Sequence, residues 1–214
     1  ADLSIIMSAG NGGLSCSGDV EEVKCNFPAA LPYIEGYEGL TEGNGGWLVV
    51  GATKPNGAIT GYSNQAGIMK DYYLVAPGYN VESSAMDGGT EKRNGTSMAA
   101  PLVSGAFALL AQKYPYLLGN EIADILLVSA DDKGDVGVDE VYGHGMLNIE
   151  SAMLPIGELN IPTGNTTEGV KTSITESYVL AGSDIGNALA NSIELSEAIV
   201  LDDYNRGFGV DMTQ

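Results

Sequence analysis

Basic residues are scarce in this sequence, where nine lysines and arginines stand against 28 acidic residues, and histidine occurs once. The formal net charge of −19 should repel nucleic acid and anionic lipid, and no nucleic-acid partner is expected. The acids are spread along the whole chain rather than gathered in a tail. That distribution suits either a solubility device for salty or extracellular surroundings or a set of structural calcium sites. No run of eighteen apolar residues occurs, so nothing here reads as a membrane-crossing helix. Cysteine is limited to Cys16 and Cys25, close together in a polar stretch. Two reduced thiols are possible, but the shared loop favours a short local disulfide and an oxidising compartment. A starting Met and a targeting segment are also missing, and Ala1 opens almost directly on an apolar run, as a cut N-terminus would.

What is present reads as globular. Apolar residues make up 44% of the chain and charged ones 17%, and 214 residues suffice to bury a core. The 30 glycines point to tight turns and close backbone approaches. Short apolar runs at Leu3–Met7, Trp47–Ala52 and Tyr72–Gly78 each end in turn formers and predict buried strands, with mostly loop over 14–46. From Ser97 to Tyr114 the chain is apolar nearly all round, which predicts a core helix with Pro101 in its first turn. Further helices are expected at Asn120–Val128, capped by Asn120, and around Met146–Met153. Buried strands alternating with apolar helices predict an α/β fold with a mostly parallel sheet. The texture changes near Pro155, dividing the chain into residues 1–154 and an extension over 155–214. Within the extension, 162–167 is linker-like, and Ile185, Leu189 and Ile193 share one face of an amphipathic stretch.

The stretch Asn94-Gly95-Thr96-Ser97-Met98-Ala99-Ala100-Pro101 places a serine at the start of the apolar helix, just after a glycine suited to a sharp turn. Free N–H groups and the positive dipole end there favour a developing oxyanion. A buried helix also holds its first residues rigidly, as a nucleophile requires.

Gly95-Thr96-Ser97-Met98-Ala99-Ala100-Pro101 resembles, without a substitution, the nucleophile segment of the subtilisin-like serine proteases, the subtilases. Ser8-Ala9-Gly10-Asn11-Gly12 resembles the family's oxyanion segment, and Val50-Gly51-Ala52, Gly61-Tyr62-Ser63-Asn64, Ala76-Pro77-Gly78 and Gly143–Asn148 follow in the family's order. The resemblance covers roughly residues 1–154 and implies a partial subtilisin-like three-layer fold. It implies peptide-bond hydrolysis through an acyl-enzyme on Ser97, with the Asn11 side-chain amide as an oxyanion donor. It makes Ala9 and Gly10 walls of the pocket for the substrate side chain preceding the scissile bond, and it implies no cofactor.

The family's chain order is Asp, His, Ser, and neither acid nor base is found in its place here. His144 follows Ser97 inside a likeness to the family's closing segment, and reads as a turn residue rather than a general base. Asp2 and Asp19 lie near the start but outside the family's aspartate context. Without a base a serine is a poor nucleophile. The isolated chain is therefore expected to have negligible peptidase activity and to need an N-terminal portion of the same precursor that supplies Asp and His. Asp131-Asp132-Lys133-Gly134-Asp135 with Asp139 hints at calcium, but without the pattern of an EF-hand it reads as a solvated loop. The segment Ser183–Leu201 followed by Asp202–Asp211 resembles the connector that precedes the membrane barrel of autotransporter serine proteases. A peptide or protein substrate, a translocator barrel in the precursor, and secretion or a Gram-negative cell surface are what that likeness implies.

Overall fold

The computed structural model describes residues 3–18, 29, 45–162, 171–173 and 198–210. The chain divides into two compact units, Ala1–Met153 and Leu154–Gln214.

The first unit is built on three parallel strands in the order β1-β2-β3: β1 (Ile5–Ser8), β2 (Trp47–Thr53) and β3 (Tyr73–Pro77). Met7 lies opposite Val49, which lies opposite Tyr73, so the register sets two faces by the two-residue period of a strand. Ile5, Met7, Ala9, Trp47, Val49, Tyr73 and Val75 join Ile59, Ile68 and Met69 in one core cluster. The alternate residues turn toward α1 (Thr96–Lys113), which packs on all three strands. Every residue of β2 is buried, as a parallel strand covered on both faces should be. The α/β architecture with a parallel sheet is the expected one.

Two antiparallel strands, β4 (Val81–Ser84) and β5 (Thr90–Arg93), are not foreseeable from the sequence, because their exposed polar residues carry no apolar period. Their hairpin leaves from the end of β3 and returns to it. Gly95 N–H donates to Gly78 O at 2.9 Å, and Asn80 N–H to Asn94 Oδ1 at 2.6 Å. The start of α1 is thereby pinned beside the end of β3.

Two expectations about α1 need correction. Its buried residues form one stripe, Thr96, Ala99, Val103, Ala106 and Leu110, spaced by three and four, while Leu102 and Leu109 are 40% and 48% exposed. The helix is apolar all round but covered on one side only, because nothing among the described residues packs on the other. Pro101 is its sixth residue rather than part of its first turn, so the Ser97 carbonyl lacks residue 101 as its usual N–H donor.

The later helices are α2 (Gly119–Val128) and the short α3 (Ile149–Ala152). Asn120 lies inside α2 rather than capping it, and the Leu118 N–H before the helix donates to Glu121 Oε2 at 2.7 Å. Asn148 caps α3, accepting from Ser151 N–H.

The second unit contains a four-stranded antiparallel sheet, β7-β6-β8-β9, from β6 (Asn160–Pro162), β7 (Lys171–Ser173), β8 (Ala198–Leu201) and β9 (Gly207–Val210). Pro162, the first residue of the expected linker, is the last of strand β6; the rest of that linker and the amphipathic face of Ile185, Leu189 and Ile193 lie outside the described residues. Arg206 and Asp202 are both wholly buried and paired, with Nη2 to Oδ2 at 2.6 Å and Nε to Oδ2 at 2.8 Å. Asp202 also accepts from the N–H groups of Ile156, Tyr204 and Arg206, and Arg206 Nη2 donates to Leu154 O. The rings of Tyr204 and Phe208 flank the guanidinium. This one pair holds the β8–β9 hairpin against residues 154–156. Asp202→Asn keeps the shape but leaves Arg206 buried without a counter-charge, and should destabilise the second unit by about 3–5 kcal/mol. Urea unfolding followed at the unit's tyrosines checks this, and an unchanged midpoint would count against it.

Candidate active site

The site forms where the exit of β1 meets the start of α1. After Ser8 the chain bends through Gly10, whose φ of 100° lies in the left-handed region that favours glycine. Gly95 has a φ of 151°, equally unsuited to a side chain, and turns the hairpin's return directly into the helix. The two glycines let both segments converge on Thr96, which is fully buried.

Thr96 fixes the Asn11 side chain. Its N–H donates to Asn11 Oδ1 at 2.9 Å and its hydroxyl to the same oxygen at 3.1 Å, while Gly10 N–H donates to Thr96 Oγ1 at 3.2 Å. A backbone N–H can only donate, so the atom facing it must be the amide oxygen. The Asn11 NH2 group is therefore turned away from Thr96, and among the described residues it meets no acceptor.

Ser97 is the second residue of α1 and is exposed. Of the first N–H groups, that of Thr96 goes to Asn11 and that of Met98 to Gly95 O at 3.0 Å. The Ser97 N–H has no acceptor among the described residues. Two uncommitted donors, Ser97 N–H and Asn11 Nδ2, thus sit at one helix start. Ser97 borders a groove of about 470 Å³ with Ile6, Met7, Ser8, Ala100, Pro101 and Ser104.

Ala9 and Gly10 are buried and are not among the residues that border this groove. His144 donates its backbone N–H to Tyr73 O on β3, whereas the groove follows β1. His144 is not among the residues that border the groove at Ser97.

In the acidic loop, Asp139 accepts from the N–H groups of Asp135, Val141 and Tyr142, and Asp132 from that of Gly137. These carboxylates tie the loop's own turns. Among the described residues no group of three or more His, Cys, Asp or Glu side chains could hold a metal. Cys16 is buried at 4% exposure, and Cys25, its expected partner, lies outside the described residues.

Sequence reasoning misses two contributors. Thr96 stands there only as part of a motif, and Asn64 only as part of a likeness. The available signal for Asn64 is a side-chain amide between two apolar runs, which a fold must satisfy once it is buried.

A family model described as the subtilase family matches residues 1–145. The autotransporter lipoprotein NalP of Neisseria meningitidis is 36% identical over 111 residues, covering 50% of this chain and 10% of that protein. Subtilisin DY of Bacillus licheniformis is 30% identical over 148 residues, 69% of this chain and 46% of that one. The solved structure of the self-cleaved protease domain of PatA is similar with a TM-score of 0.53 and 28% identity, covering 71% of this chain and 49% of that one. The chain spans less than half of each of these relatives.

Thr96→Val keeps the shape of the Thr96 side chain but removes the acceptor of the buried Gly10 N–H and one donor to Asn11. A loss of about 1–3 kcal/mol of stability is expected for leaving that N–H unpaired. Chemical denaturation measures it, and an unchanged stability would contradict the geometry.

Proposed function

We propose that this chain, which belongs to the subtilase family, is the nucleophile-bearing part of a serine endopeptidase. The observation that carries this is the start of α1, where Ser97 stands beside two uncommitted donors, one of them oriented by Thr96. In this reading Ser97 Oγ attacks the peptide carbonyl while its proton passes to an imidazole. The carbonyl oxygen, becoming anionic, accepts from Ser97 N–H and Asn11 Nδ2. The C–N bond then breaks, the imidazolium gives its proton to the leaving amine, and an acyl group stays on Ser97 until water removes it. Removing such a donor from subtilisin costs about 10²–10³ in rate, and Asn11→Ala should cost a similar factor here.

The imidazole and its aspartate come from polypeptide outside this sequence. The only histidine stands beside β3 and does not border the groove at Ser97. Two surfaces favour such a partner. β1 is the outer strand of the described sheet, with all four residues only half-buried, and α1 presents Leu102, Ala108 and Leu109 uncovered. An apolar helix face next to an open sheet edge fits a second α/β portion that extends the sheet past β1. The substrate is a peptide or protein. The named autotransporter relative and the acidic surface favour a secreted or cell-surface setting, with a translocator barrel elsewhere in the precursor.

Labelling with a fluorophosphonate probe tests the proposal. Ser97 should be modified when the complete protein, carrying the additional Asp and His, is used, and Ser97→Ala should abolish the signal. No labelling of the complete protein, or equal labelling of this chain alone, would overturn it.

A further inference from the structure

The hydrogen bonds of Asn64 go to the loop that carries Asn11 or serve to fix Asn64 itself. Its backbone N–H donates to Gly10 O at 2.9 Å, and its side-chain Nδ2 to Ala9 O at 2.9 Å. Its Oδ1 accepts from Gly12 N–H and from Leu14 N–H, both at 3.1 Å. The residue therefore grips the chain on both sides of Asn11 while leaving Asn11 itself free.

Asn64 is held in turn. Its carbonyl accepts from the Tyr73 hydroxyl at 2.7 Å and the Ser63 hydroxyl at 3.0 Å, and Ser63 Oγ accepts from Ala52 N–H on β2. Burial pushes the Tyr73 phenol well above its ordinary range, so it remains a neutral donor at any working pH. Asn64 is 2% exposed, so its amide cannot exchange these partners for water. The chain of contacts runs from the rigid strands β2 and β3, through Asn64, to the backbone of residues 9–14.

We infer that Asn64 is a positioning residue that sets the place of the Asn11 amide relative to Ser97. The inference rests on the proposed role of Asn11. Thr96 fixes how the Asn11 carboxamide is turned, and Asn64 fixes where the backbone beneath it lies. An oxyanion donor must be held to within a fraction of an ångström, since a misplacement of about 1 Å can cost about 10²-fold in rate.

The test compares steady-state hydrolysis of a peptide substrate by the complete protein and four variants: Asn11→Ala, Asn64→Ala, Asn64→Asp and the double Asn11→Ala/Asn64→Ala. Asn64→Ala should lower kcat by about 10- to 100-fold. KM should change much less. The aspartate variant keeps the acceptor for Gly12 and Leu14 N–H and should lose less kcat. In the Asn11→Ala background, Asn64→Ala should lower kcat by less than about twofold, because a positioning residue has no effect once the group it positions is gone. Full multiplication of the two losses, or an unchanged kcat in a folded Asn64→Ala protein, would overturn the inference alone. An Asn11→Ala protein with unaltered kcat would instead overturn the role of Asn11 on which it depends. Should Asn64→Ala fail to fold, Asn64→Asp with and without Asn11→Ala gives the same comparison: a loss confined to the Asn11 background supports the inference, and a loss that multiplies overturns it.

Discussion

The acceptance of two hydrogen bonds by Asn11 Oδ1, from the N–H and the hydroxyl of Thr96, ties together the two segments on which the site depends. One segment is the exit of the first strand, the other the start of the long helix, and they are 85 residues apart in sequence. Each would be an ordinary turn by itself. Joined through one amide oxygen, they leave the amide NH2 and the N–H of Ser97 as donors with no acceptor among the described residues. Both residues are exposed, so the two donors can be met by an acceptor from outside the chain, and that is the property an acyl-transfer site needs.

The surroundings serve that junction by stiffness. The buried strands β2 and β3 supply a packed floor, and Asn64, held by Tyr73 and Ser63, ties the loop of residues 9–14 to it. From the other side, the hairpin of β4 and β5 returns the chain to Gly78, so the helix starts at a fixed point. Among the described residues the edge of β1 and the outer face of α1 are left open, and a partner supplying acid and base would fit there.

Much of this is legible in the residues. Three apolar runs and an apolar helix imply the layered α/β arrangement, and the unbroken segment from Gly95 to Pro101 locates Ser97 at a helix start. What stays hidden is whatever depends on contacts between distant residues. The exposure of Leu102 and Leu109 is invisible in a pattern that is apolar on every side, because composition reports what could be buried and not what is. Pro101 falls past the first turn even for a start at Ser97, where it is the fifth residue, and the start at Thr96 makes it the sixth. The small sheet of the second unit rests on Arg206 and Asp202, two charges that sequence reasoning assigns to the surface until a partner is seen. Asn64 is hidden for the same reason, since its meaning lies in four hydrogen bonds to residues at least fifty positions away.

The most direct measurement is a crystal structure of the complete protein inhibited by a peptide boronate, which forms a tetrahedral adduct on a nucleophilic serine. The account requires the boron to be bonded to Ser97 Oγ, with one boronate oxygen about 2.7–3.1 Å from both Asn11 Nδ2 and Ser97 N–H. An adduct on Ser97 whose oxygens all point away from Asn11, or an adduct on another residue, would contradict it.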